Sequence, residues 1–162
     1  MADFILEVMC GFSGVRTVSS KGGADRLELC GSLVIGGTTP NPWLFQEIRK
    51  HTDIRIHALI RPRFGDFCYT DEEFILIREA VKEFRRLGAE GVVIGILKPD
   101  GTLNMEQMKR LMEDAEGMSV TLHRAFDVCA DPYETMEQAI SLGLIQFLHQ
   151  DRKYLYCRSR PS

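Results

Sequence analysis

The sequence contains no apolar run near the length of a membrane-spanning helix, which excludes an ordinary transmembrane helix. Its five cysteines, at 10, 30, 68, 129 and 157, are odd in number and include no C-x-x-C pair. A fully paired disulfide framework is thereby excluded, and free thiols in a reduced protein are expected. No cationic segment followed by an apolar stretch opens the chain, so no secretory leader is expected and a cytoplasmic location is, with the nucleus as the alternative. Neither G-x-G-x-x-G nor a P-loop occurs, so no phosphate-binding loop of those kinds is present. Basic residues are not in excess either: the formal net charge is −3. Residues 144–162 carry four cations against one carboxylate, a net +3, which leaves −6 for the remainder. A body that acidic has no general attraction for nucleic acid.

What is present is a rhythm. The 162 residues, 44% hydrophobic and 27% charged, suffice for one domain with a core. Short β-rich runs alternate with helical patterns: FILEVMC (4–10), RLELC (26–30), RIHALI (55–60), GVVIGIL (91–97) and SVTLHRAF (119–126). The first is followed by a weak helical pattern around Val15 and Val18, closed by Gly22 and Gly23. Asn41-Pro42 and Asp131-Pro132 are N-cap and first-turn signals, Asn104 precedes a methionine-rich face, and Thr70 with Glu73 forms a capping box. Helix-length crossovers between strands require a parallel sheet. KGGADRLEL (21–29) and RRLGAEGVVI (85–94) repeat one Gly-Ala-acid turn into a strand, which favours a β/α barrel over an open doubly wound sheet.

In such folds ligands sit at the carboxyl ends of the strands, and there the strands carry strong polar groups. SVTLHRAFD (119–127) delivers an imidazole, a guanidinium and a carboxylate within five residues. Strand alternation puts Glu7 with Met9, Glu28 with Arg26 and Cys30, Arg61 with His57 and Leu59, and His123 with Thr121 on a common face. Asp127 joins that face if the extended run persists, while Arg124 and Cys10 face away. Each residue taken singly has a structural role as its commonest explanation; four strands contributing charge at one end point to a site. PRFGDFCY (62–69) is expected to close over the mouth through Arg63 and Asp66, and the glycines and threonines of 31–40 suit close approach of backbone to a ligand.

GGADRLELC, GGTTP, IRPRFGDFCY and TLHRAFD, in this order and spacing, closely resemble the CutC copper homeostasis family from about residue 4 to 143. The resemblance implies a TIM-type (β/α) barrel, a cytosolic location, oligomerisation and Cu(I) as the bound metal. It carries Glu7, Glu28, Arg61, His123 and Asp127 as pocket residues. Two departures stand out. Where the family has a Glu-x-Cys thiol late in strand 1, this chain has Met9 followed by Cys10. The family also continues through three more β/α units after Gly143, where this chain has the basic segment LIQFLHQDRKYLYCRSRPS, whose LIQFL is a candidate sixth strand.

The expectations are therefore an α/β fold, an incomplete TIM-type barrel of five to six units over 1–143, and a divergent basic tail over 144–162. Such a barrel has open edges at its first and last strands. The functional expectation is Cu(I) binding through Met9 and Cys30, with Cys10 the less favoured ligand on strand phase. One alternative is an enzyme acting on a small polar or anionic substrate, with Arg61 binding the anion, His123 as general acid or base, and Glu7 or Glu28 as orienting group or base. A non-functional or regulatory shortened form is the other. Expected partners are a copper ion and a second or full-length copy of the chain, with neither nucleic acid nor membrane.

Overall fold

A computed structural model describes residues 5–11, 23–144 and 146–147. Six strands, β1 (Glu7–Cys10), β2 (Arg26–Leu29), β3 (Arg55–Leu59), β4 (Gly91–Ile94), β5 (Ser119–Leu122) and β6 (Gln146–Phe147), form one sheet in chain order. Every neighbouring pair is parallel. Helices α1 (Pro42–Arg49), α2 (Asp71–Arg86), α3 (Met105–Asp114) and α4 (Pro132–Ser141) connect β2 through β6. Sequential order with helical crossovers is the arrangement of a β/α barrel, here an incomplete one, and Gln146–Phe147, within the LIQFL run, is the sixth strand. The helical pattern around Val15 and Val18, and the tail from residue 148 onward, lie outside the described residues.

The helices begin where local chemistry directs. Asn41 caps α1 by accepting from Trp43 N–H, with Pro42 in the first turn. Thr70 and Glu73 form the reciprocal capping box of α2, and three acidic residues occupy its first turn. Asn104 accepts from Gln107 N–H, and Asp131 from Tyr133 and Glu134 N–H. The repeated turn has a structural purpose. Asp25, just before β2, accepts from Leu6 N–H at 2.8 Å, and Glu90, just before β4, accepts from Ile56 N–H at 2.8 Å. In both places the acid of the turn satisfies an amide of the preceding strand's entry.

Strand alternation divides the core in two. Cys10, Leu27, Leu29, Ile56, Ala58, Ile60, Val92, Ile94, Val120 and Leu122 pack with the helices in the main apolar cluster. Cys30, Leu59 and Val93 form a small separate cluster on the concave face. The rest of that face is polar. Arg26 meets the Glu7 carboxylate with two hydrogen bonds of 2.9 and 2.7 Å, and its Nη1 donates to Gln146 Oε1 at 2.9 Å. Gln146 Oε1 also accepts from the Thr121 hydroxyl at 3.0 Å.

Candidate functional site

A cavity of about 650 Å³ opens at the carboxyl ends of the strands. Its lining includes Met9, Glu28, Leu59, Arg61, Phe67, His123, Arg124 and Asp127. Glu28, Arg61 and His123 are all buried, and each carries a buried polar atom without a hydrogen-bond partner among the described residues: Glu28 Oε2, Arg61 Nε and His123 Nε2. Buried polar atoms are nearly always paired, and the three residues that carry these atoms line one cavity.

Arg61 lies two residues past the end of β3, and its guanidinium is flanked by backbone carbonyls. Nη2 donates to Gly65 O at 2.8 Å, and Nη1 makes longer contacts to Gly36 O and Gly37 O at 3.4 and 3.3 Å. The Phe67 ring lies 4.9 Å beneath it. The Tyr69 side chain also meets it, and among the described residues no carboxylate forms an ion pair with this buried cation.

His123 follows β5. Its Nδ1 accepts from Ala125 N–H at 3.2 Å, which leaves the ring proton on Nε2. Burial, and secondly the Arg61 charge, push the imidazole pKa down to about 3, so the ring is a neutral N–H donor at ordinary pH. Phe67 packs against it with ring centroids 4.8 Å apart. The opposite side is open only because β4 continues into a glycine. A Cβ on Gly95 would meet the His123 ring at 2.7 Å, and one on Gly91 would meet the His57 ring at 2.6 Å. Two glycines on one strand thus house imidazoles from both neighbouring strands.

Glu28 is the titrating group. Burial, then the charge of Glu7, raise its carboxyl to about 7, against opposing pulls from Cys30 and Arg26. Its Oε1 lies 3.6 Å from Cys30 Sγ, near enough for a weak thiol hydrogen bond. Burial and the same glutamate push the Cys30 thiol far above its usual range. The cavity thus holds both an imidazole that is neutral at ordinary pH and a carboxyl raised toward neutrality.

Several expected placements differ. Glu7 is not in the cavity wall; register sets it opposite Arg26, which takes both its oxygens. Arg63 and Asp66 do not reach over the mouth. They bond each other at 3.0 Å, and Arg63 further anchors to Glu73 and to Cys68 O. The pair therefore holds the 62–69 loop to the start of α2, and it is Gly65 and Phe67 of that loop that face the site. Strand β5 stops at Leu122, and a 3₁₀ turn over Arg124–Val128 follows. That turn, not continued alternation, brings Asp127 to the cavity, and it brings Arg124 as well, with 3.3 Å between them.

Of the soft donors, Met9 lines the cavity and Cys30 lies fully buried on the same concave face, while Cys10 packs among the helices. Among the described residues no group of three or more His, Cys, Asp or Glu is arranged to hold a metal ion. Phe67, Leu33, Ile35 and Val128 also line the cavity and were not legible as site residues. The only available signal was their position in the loops after strand ends.

A parallel β/α half-barrel with a polar cavity at the carboxyl ends of its strands belongs among proteins of the TIM-barrel type. A family profile described as the CutC family matches residues 4–155. The chain belongs to the CutC family. A Citrobacter koseri protein described as family protein CutC is 40% identical over 149 residues, which cover 92% of this chain and 60% of that protein. The chain thus spans about 60% of the length of this curated relative. The crystal structure of a candidate copper homeostasis protein CutC from Streptococcus agalactiae superposes with a TM-score of 0.83 at 28% identity, covering 90% of this chain and 73% of that one. The carboxyl transferase domain of Rhizobium etli pyruvate carboxylase matches with a TM-score of 0.56 at 15% identity, over 88% of this chain and 26% of that one, and shares the fold alone. No helix among the described residues is long and apolar enough to cross a membrane.

Proposed function

We propose that the cavity binds a small anionic molecule and exchanges a proton with it. Arg61 supplies the counter-charge, His123 donates a hydrogen bond from Nε2, and Glu28 takes or gives the proton. The observation that carries this is the buried Arg61 guanidinium, which among the described residues meets backbone carbonyls, the Phe67 ring and the Tyr69 side chain but no carboxylate. An isolated buried cation is costly, and an anionic ligand removes the cost. A neutral N–H and a guanidinium at one locus suit charge that builds on a ligand oxygen, and a carboxyl near pKa 7 suits general acid–base work. Titration calorimetry with small carboxylates and inorganic phosphate tests the reading. Arg61→Gln is expected to weaken binding about 10- to 100-fold, the worth of a charged hydrogen bond. Unchanged affinity in that variant rejects the reading.

A second reading is Cu(I) binding, favoured by the placement of Met9 and Cys30 on one concave face of adjacent strands. The ion would displace the Cys30 proton, which Glu28 is placed to accept. Competition against a Cu(I) chelator tests it. The free thiols of Cys10, Cys30 and Cys68 support a reducing, cytosolic compartment. Self-association through the β1 edge is supported by exposed Ile5 and Leu6 and is read out by light scattering on the eluting protein.

A further inference from the structure

The cavity separates its polar and apolar groups by depth. Glu28, Arg61 and His123 are buried at 1, 9 and 3% exposure, whereas Leu33, Ile35 and Val128 on the same lining are 39, 49 and 59% exposed. The apolar residues come from the two 3₁₀ turns that follow β2 and β5, so they stand beyond the strand ends that carry the polar floor. Leu59 and Phe67 continue the apolar wall. The charges at this level, Arg124 and Asp127, lie 3.3 Å apart and offset each other. A bare inorganic anion satisfies the floor but leaves most of about 650 Å³ and all of these apolar groups without a partner.

We infer that the ligand is an amphipathic acid, with an anionic head on Arg61 and His123 and an apolar segment of several carbons against Leu33, Ile35, Phe67 and Val128. This rests on the anion-binding reading above and adds the class of molecule that the site takes. Apolar contact beyond the head contributes through area removed from water, and a methylene fully enclosed is worth about a fourfold gain in affinity. Solvent-facing walls such as these give somewhat less per carbon.

The test uses the whole chain and four straight-chain acids, acetate, butanoate, hexanoate and octanoate, beside hexanol, all by titration calorimetry. Affinity is expected to climb two- to fourfold per added methylene over the first several carbons, with hexanol far weaker than hexanoate. Ile35→Ser and Val128→Ser, both at exposed positions whose replacement spares the core, are expected to lower that slope. Arg61→Gln is expected to weaken every acid by a similar factor. Acids that bind with an affinity independent of length overturn the inference and leave the anion site standing. Hexanol binding as well as hexanoate, or no acid binding at all, overturns both. Thermal unfolding of each variant confirms that a changed slope comes from a folded protein.

Discussion

Arg26 on β2 and Gln146 on β6 are joined by a 2.9 Å hydrogen bond, although three strands lie between them. In a flat sheet their backbones would be about 19 Å apart, four strand spacings, beyond the combined reach of the two side chains. The bond therefore measures the curl of the sheet: six strands already bend far enough for β2 and β6 to face each other across the concave side. It also makes the layer below the cavity a closed polar network of Glu7, Arg26, Gln146 and Thr121.

Removing the centre of that network leaves a buried charge. Glu7 and Arg26 side chains are 16 and 10% exposed, so Arg26→Met strands the Glu7 carboxylate. The expected loss is about 3–5 kcal/mol of unfolding free energy in urea titration. The double variant with Glu7→Gln should recover part of it, since the stranded charge is then gone. A loss no larger than that of an exposed ion pair would show that the network does not hold the curved sheet together.

Gly95→Ala should harm the site through His123. The added carbon lies 2.7 Å from the imidazole and 3.0 Å from Ala125 Cβ, and Phe67 blocks retreat on the other side. Overpacking of this kind costs about 1–3 kcal/mol, and displaced Nε2 should weaken anion binding as well. Gly91→Ala presses on His57 in the same way, but beneath the cavity, so it should lower thermal stability with a smaller effect on binding.

Glu28 sets a pH dependence of definite sign. Its folded pKa of about 7 stands above the ordinary 4.5, so between those values the folded state holds more protons than the unfolded. Stability from this group therefore falls as pH rises through the window and stays at its low level above it. Glu28→Gln is expected to stabilise the protein by about 2–3 kcal/mol at pH 8, an advantage that shrinks below pH 7 and vanishes near pH 4.5. Melting temperatures of both proteins across this range decide it; a pH-independent difference would place the titration elsewhere.

For copper, the two faces of the sheet make opposite forecasts. Cys30→Ser should weaken competition against a Cu(I) chelator markedly, because Cys30 shares the concave face with Met9. Cys10→Ser should change it little, because Cys10 packs under the helices. Equal losses, or a loss from Cys10→Ser alone, would remove Met9 and Cys30 as the ligand pair.

Much of this architecture is legible in the sequence alone. Helix starts at Asn41, Thr70, Asn104 and Asp131 depend on residues within three positions of the cap, so local sequence announces them. Strand phase is equally local: alternation at period 2 suffices to turn Glu28, Arg61 and His123 inward and Cys10 outward, and the faces came out so. Partner choice is not local. Whether Glu7 serves a ligand or an arginine depends on the register that sets it beside Arg26, and on the curl that brings Gln146 to the same guanidinium. The tautomer of His123 depends on a 3₁₀ turn that alternation cannot foresee, and Arg63 and Asp66 were claimed by Glu73 and by each other once α2 folded back. Sequence determined which way each strand side chain points, because that is a property of one strand. Tertiary structure decided which of those groups remain unbonded, because satisfying a hydrogen bond needs a partner brought from elsewhere in the chain.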